Sequence, residues 1–247
     1  MKKSLFTLAL AASCFGAAAQ PKEGASQTAT ASAATSAVIT GLPVAAPAGY
    51  AELLGATITS IMRTGDPAEL RALAAKMERA ATVAPADWLP RYYQAYALLI
   101  NVFQSQEDGD LKDKTLDQAE AALAQARQLH GDESELLTLQ AYIYQARLGI
   151  SPMVRSMKYA RMVTEAVAQA KALNPANPRP YLVGANNVNF TPKMFGGGPE
   201  AARPLYEEAK GKYAAFHPLS ALAPNWGERQ LQGRLKQYEV PAATAAK

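Results

Sequence analysis

Few side chains of this sequence are arranged for chemistry. Its 247 residues hold two histidines, His130 and His217, and one cysteine, Cys14. The histidines lie far apart and outside any cluster of Cys, Asp or Glu, so neither has the spacing of a metal site. Each precedes a helix-breaking residue, Gly131 and Pro218, where an imidazolium complements the negative end of a helix dipole. No Gly-x-Ser-x-Gly elbow is present, and neither histidine sits in a Ser-His-Asp pattern. The adjacent carboxylates Glu207 and Glu208 read as solvated surface. Gly196-Gly197-Gly198 before Pro199 invites an anion at the free amides of a helix start. It lacks the spacing and the Lys-Ser/Thr of a phosphate loop and follows no strand; a tight turn between two helices, anchored by Phe195, accounts for it. No enzyme, cofactor or metal site is expected, and function passes to surfaces.

Composition sets the frame in which a surface is built. With 49% hydrophobic and 19% charged residues, the chain buries a core rather than remaining unfolded. The formal charge is +4, and Lys193, Arg203, Lys210 and Lys212 alternate with Glu200, Glu207 and Glu208, which excludes a nucleic-acid stripe. Lys2 and Lys3, an apolar run over residues 5–13 and Ala17-Ala18-Ala19 before Gln20 make residues 1–19 a cleavable export signal. Cleavage leaves 23 basic and 21 acidic residues, a net +2. In an alternative reading, Ala11-Ala12-Ser13-Cys14 resembles a lipoprotein box, with Cys14 as a lipid anchor. Residues 20–48, rich in Ala, Ser and Thr, form a disordered linker, and residues 240–247 a disordered tail. Nothing else approaches the about 20 apolar residues of a membrane helix, so no membrane insertion is expected of the mature chain, which is periplasmic or secreted, or tethered at Cys14.

Residues 49–239 read as helix after helix. Tyr50, Leu53, Leu54, Ile58, Ile61 and Met62 keep the three-and-four spacing of an amphipathic helix. Asp66-Pro67 then writes a cap and a first turn. Further runs cover residues 86–103, 111–129, 133–148, 152–173, 179–190, 199–215 and 225–238, nine helices in all, with turn residues between them and no alternating β-branched strand pattern. Small residues recur along these helices. Ala80, Ala126, Ala170 and Ala209 are separated by 46, 44 and 39 residues, each three after a large side chain: Met77, Leu123, Val167 or Tyr206. Ala95, Ala141 and Ala185 repeat at 46 and 44 in the alternate helices, and Pro85, Gly131 and Pro175 mark breaks at the same intervals. A small residue lets two helices approach closely while the large one fills the adjoining groove, so stacked two-helix units are expected to share one core.

The small residue late in every second helix, the bulky residue before it and the phrase Ala172-Leu173-Asn174-Pro175-Ala176-Asn177-Pro178 resemble tetratricopeptide repeats. The likeness covers residues 50–238. In the first helix of each pair it offers Arg91, Ala95 and Leu98, then Leu137, Ala141 and Tyr144, then Tyr181, Ala185 and Val188, of which only the small position holds throughout. The intervals exceed the family's usual ~34 residues, a difference assigned to longer loops at 105–110 and 149–151. The resemblance implies an all-α fold: a right-handed α-solenoid of about four helix-turn-helix pairs plus a C-terminal capping helix. In that cap, Trp226, Leu231, Leu235 and Tyr238 cover the preceding pair, and Trp226→Ala is expected to cost about 2–4 kcal/mol. Residues 190–200 are also similar to secreted bacterial repeat proteins, including the T component of certain solute transporters.

In tetratricopeptide proteins the exposed positions of each first helix line a concave groove. Carried over, they give Tyr92 and Tyr96, Thr138 and Tyr142, and Asn186 and Asn189. Tyrosine supplies a rigid ring with one polar tip, and asparagine pairs with a peptide backbone as donor and acceptor. The implied function is an exported, non-catalytic scaffold holding a protein or peptide partner. The alternative is a solute-binding or transporter-associated protein, marked by an apolar cavity among Tyr92, Tyr96, Tyr142 and Phe190.

Overall fold

A computed structural model describes residues 46–239. The export signal, Cys14, most of the linker and the tail lie outside the described residues. Nine α-helices form, with no strand among the described residues: α1 Tyr50–Arg63, α2 Pro67–Val83, α3 Leu89–Gln104, α4 Gly109–Gln128, α5 Glu133–Ile150, α6 Pro152–Leu173, α7 Arg179–Phe190, α8 Pro199–Ala215 and α9 Glu228–Glu239.

Local chemistry sets most helix ends. The Asp66 carboxylate accepts from the amides of Ala68 and Glu69, with Pro67 in the first turn; Asp108 and Asp132 cap α4 and α5 in the same way. Helix α4 ends with His130 in the left-handed region at φ 58°. Its amide bonds Arg127 O, and the Gly131 amide bonds Ala126 O, at 3.0 and 3.1 Å, the pattern that satisfies terminal carbonyls. Gly131 is required for another reason: a Cβ there would meet the Trp88 ring at 2.8 Å. The expected loop at 149–151 shrinks to Ser151, because α5 runs on through Gly149 to Ile150, whose side chain packs against Gly109 at the start of α4.

The helices pack as consecutive antiparallel neighbours, and α1, α3, α5 and α7 also touch in succession. That is a solenoid of α1/α2, α3/α4, α5/α6 and α7/α8 pairs. Of the repeating small residues, Ala95, Ala126, Ala141, Ala170, Ala185 and Ala209 are buried, as are Met77, Leu123, Val167 and Tyr206, whereas Ala80 is only half-buried and its neighbour Ala81 takes the buried place on α2. Two apolar clusters result, a large one built on α1 to α6 with Val183 of α7 and Trp226, and a smaller one joining α7, α8 and α9.

Outside the apolar core, Arg147 on α5 spans Asp113, Asp117 and Glu120 of α4 at 3.0, 2.5 and 2.6 Å, while Arg155 of α6 holds Asp113 at 2.6 Å. The Arg155 hydrogen bond holds the Asp113 carboxyl below its ordinary range. A carboxylate more acidic when folded stabilises the fold above its unfolded value of about 3.9, and that contribution is lost as pH falls through the lower folded value. Asp113→Asn is therefore expected to lower the unfolding free energy at neutral pH and flatten its decline below about pH 4, as urea melts across that range will read.

Helix α9 corrects the simple end cap. Leu231, Leu235 and Tyr238 do cover α7 and α8, but Trp226 precedes the helix and joins the larger cluster instead. The irregular segment 216–227 brings it there. Its carbonyl accepts from Tyr213 Oη at 3.0 Å, and Leu222 O accepts from Tyr93 Oη at 3.2 Å. Gly227 makes the turn possible at φ 106°, where a Cβ would fall 2.0 Å from Tyr213 Oη.

Candidate functional site

Between the first helices of the pairs and α9 lies an open groove of about 1640 Å³. Its floor is a ladder of rings. Trp226 stacks between Tyr96 and Tyr142 at centroid distances of 5.1 and 5.7 Å, and Phe103 continues the series at 5.0 Å from Tyr142. Gln230 of α9 donates to Tyr142 Oη at 2.7 Å. Burial raises the phenol pKa of both Tyr96 and Tyr142, so both rings stay neutral and serve as apolar surface. The ladder passes from buried Trp226 to Phe103, which is 42% exposed.

The rim is apolar and unusually bare. Met153 and Met157 at the start of α6 are 97% and 91% exposed, and Phe190 and Phe195 are about two-thirds exposed. Large apolar side chains gathered at a concavity mark a binding surface. The charged lining is Arg63, Arg229 and Arg234 against the single Glu228. Among the described residues none of these arginines pairs with a carboxylate. Arg234 lies over the Phe190 ring at 4.9 Å, and Arg229 reaches Met62 O at 3.4 Å. Neither His130 nor His217 lines the groove; both are exposed just beyond helix ends. The glycine turn offers no amide nest to it either, since Gly198 N bonds Val188 O at 2.9 Å and Gly197 N bonds Pro192 O. Phe195 does not anchor that turn but projects to the rim.

Tyr96, Tyr142 and Asn186 of the sequence-derived residues line this groove. Asn186 is nonetheless engaged, accepting from Tyr206 Oη at 2.9 Å. Tyr92 and Thr138 are fully buried in the core. The Tyr92 hydroxyl donates to Glu135, and the Thr138 hydroxyl donates to Ser134 O within its own helix. Asn189 is half-buried on α7 off the lining, whereas Asn187 is on it. The cavity is thus bounded by Tyr96, Tyr142 and Phe190, with Tyr92 behind its floor.

No protein-family model and no curated protein matches the chain. Among solved structures it is similar to the HusA haemophore from Porphyromonas gingivalis, with 33% identity, a TM-score of 0.69, and coverage of 81% of this chain and 98% of that one. The chain belongs to the HusA haemophore family. The fold shared with HusA spans nearly all of that protein, so the groove lies on the common helical body. Its stacked pairs are compatible with a helical repeat, while the family that the comparison supports is that of HusA. Sequence spacing missed Trp226, Arg229 and Arg234 as groove residues. Arg229 and Arg234 carried a signal only as cations on the last helix beside the stripe of Leu231 and Leu235, and Trp226, which precedes that helix, carried none.

Proposed function

We propose that this protein is an exported haem-binding protein that holds the flat macrocycle in the groove. The observation carrying the reading is an apolar concavity walled by Phe103, Phe190, Met153 and Met157 and edged by Arg63, Arg229 and Arg234 without carboxylate partners. Membership in the HusA family supports it. The volume, above the about 300–1,000 Å³ of ordinary small-molecule sites, leaves ample room for a tetrapyrrole. Aromatic and thioether side chains cover a conjugated face, and guanidinium groups bind the two propionates through charge-assisted hydrogen bonds. The lining contains no histidine or cysteine, and the side chains in it of a type that ligates haem iron are methionines and tyrosines; the macrocycle and its carboxylates supply the remaining contacts in this reading. The solute-binding alternative fits such a groove better than a peptide scaffold does, because exposed aromatic and thioether side chains stand beside an excess of cations, three arginines to one glutamate, which suits a flat apolar anion. The amino-terminal signal pattern supports a periplasmic or extracellular site of action.

Titration of the mature protein with ferric haem, followed in the Soret band, is expected to give a saturable spectral change. Phe190→Ala removes a ring that is 65% exposed, so it is expected to leave the melting temperature near that of the parent and weaken binding about tenfold, or about 1.4 kcal/mol. A spectrum that never saturates, or an unchanged affinity in the variant, would overturn the reading.

A further inference from the structure

Behind the groove floor lies a buried ion pair. Arg179, at the start of α7, is 1% exposed, and its side chain is bidentate to Glu135 of α5, with Nε at 2.8 and 3.0 Å from the carboxylate oxygens and Nη2 on Oε1. The Glu135 Oε2 atom also accepts from Tyr92 Oη at 3.1 Å, and Tyr92 Oη accepts the Trp226 indole N–H at 2.8 Å. Four residues from α7, α5, α3 and the segment before α9 thus form one buried chain of hydrogen bonds. The Arg179 guanidinium lies over the Phe216 ring at 4.6 Å, which gives its unpaired Nη1 an aromatic face.

Burying two charges costs desolvation that apolar residues of similar size would avoid, so such a pair is a poor device for stability alone. It is a good device for direction. A carboxylate that accepts from Tyr92 fixes the hydroxyl rotor, polarises its oxygen and so strengthens it as acceptor for one donor in one plane. That donor belongs to the ring stacked between Tyr96 and Tyr142, through which the ladder reaches exposed Phe103.

We infer that Arg179, Glu135 and Tyr92 are positioning residues for the ligand groove: they set the plane of the Trp226 indole, so tetrapyrrole affinity depends on a hydroxyl that does not line the groove. The inference rests on the proposed function and adds to it a control point in the core. Tyr92→Phe is the informative variant, since it keeps the ring and the ion pair and removes only the link.

The experiment is a double-mutant cycle in which ferric haem affinity is measured by Soret titration for the parent, Tyr92→Phe, Trp226→Phe and the double variant, each shown to be folded by its melting curve. Tyr92→Phe is expected to weaken binding about fivefold in the parent, the size of one net hydrogen bond, and by less than about twofold where the indole N–H is already gone. Leu70→Ala, a core truncation on α2 away from the groove, should destabilise the fold yet leave affinity unchanged. Should Tyr92→Phe fail to fold, the Arg179→Met/Glu135→Leu double variant serves instead, since it keeps every groove residue and removes the carboxylate that holds the Tyr92 hydroxyl: affinity weakened about twofold or more in the folded variant supports the inference, and unchanged affinity overturns it. Equal losses in the two backgrounds, or none in the parent, overturn the inference alone. A parent protein that binds no haem overturns the proposed function and this inference with it.

Discussion

Arg179→Met is expected to lower the unfolding free energy by about 3–5 kcal/mol, and the melting temperature by about 6–20 °C for a domain of this size. Methionine retains much of the aliphatic volume, so the loss is chiefly electrostatic. It leaves Glu135, 4% exposed, without the guanidinium that offsets its desolvation. Burial already pushes the Glu135 carboxyl up, and Arg179 pulls the other way. Without Arg179 the carboxyl rises further. A group whose folded pKa lies above its unfolded value contributes stability below the unfolded value, and that contribution is lost as pH rises through the folded one. The variant should therefore regain stability as the pH is lowered from neutral toward about 5, opposite in sign to the Asp113 effect. Adding Glu135→Leu should recover most of the loss at neutral pH, because two apolar side chains replace the pair. Urea melts of the three proteins at pH 5 and 7 check all of this; a single variant as stable as the parent would show that the pair is dispensable.

Trp226→Ala should cost about 3–5 kcal/mol, the usual penalty for emptying a large buried aromatic site and more than the about 2–4 kcal/mol expected of a ring in the end cap, and should abolish measurable haem binding. The indole is 3% exposed, stacked on two tyrosines and bonded to a third. Its loss removes the middle of the ladder, releases the Tyr92 hydroxyl and unpins segment 216–227 from α3 and α5. A ring that merely covered the last helix pair would fray α9 when truncated and leave the other pairs intact. The position seen here instead sets the ring in the larger cluster against α3 and α5, with its carbonyl held by Tyr213 of α8. Hydrogen exchange separates these outcomes: faster exchange in α3 and α5 as well as α9 is expected, and exchange confined to α9 would reject the central role.

The same two residues mark the limit of what could be read in advance. Asp66-Pro67, Asp108 and Asp132 write helix starts in a few consecutive positions, since a cap needs only its own next two or three amides. The alanines at 44- and 46-residue intervals likewise revealed stacked pairs, because a close helix crossing demands a small side chain wherever it recurs. The groove was legible in part. Tyr96 and Tyr142 line it, but Tyr92, one turn before Tyr96, faces the core; spacing defines two sides of a helix without saying which neighbour each side meets. Thr138 is enclosed for the same reason.

The amino-acid sequence by itself determined the helices, their order and the repeated contacts that stack them, all consequences of near-neighbour spacing. Only the tertiary structure decided that segment 216–227, which has no period to read, returns across the groove. Its path depends on Tyr93, Tyr213 and Tyr92 hydroxyls meeting Leu222 and Trp226 across 129, 13 and 134 residues. It also decided that Arg179 meets Glu135 across 44. Such pairings arise when separate helix faces close on one another, and no local pattern encodes them.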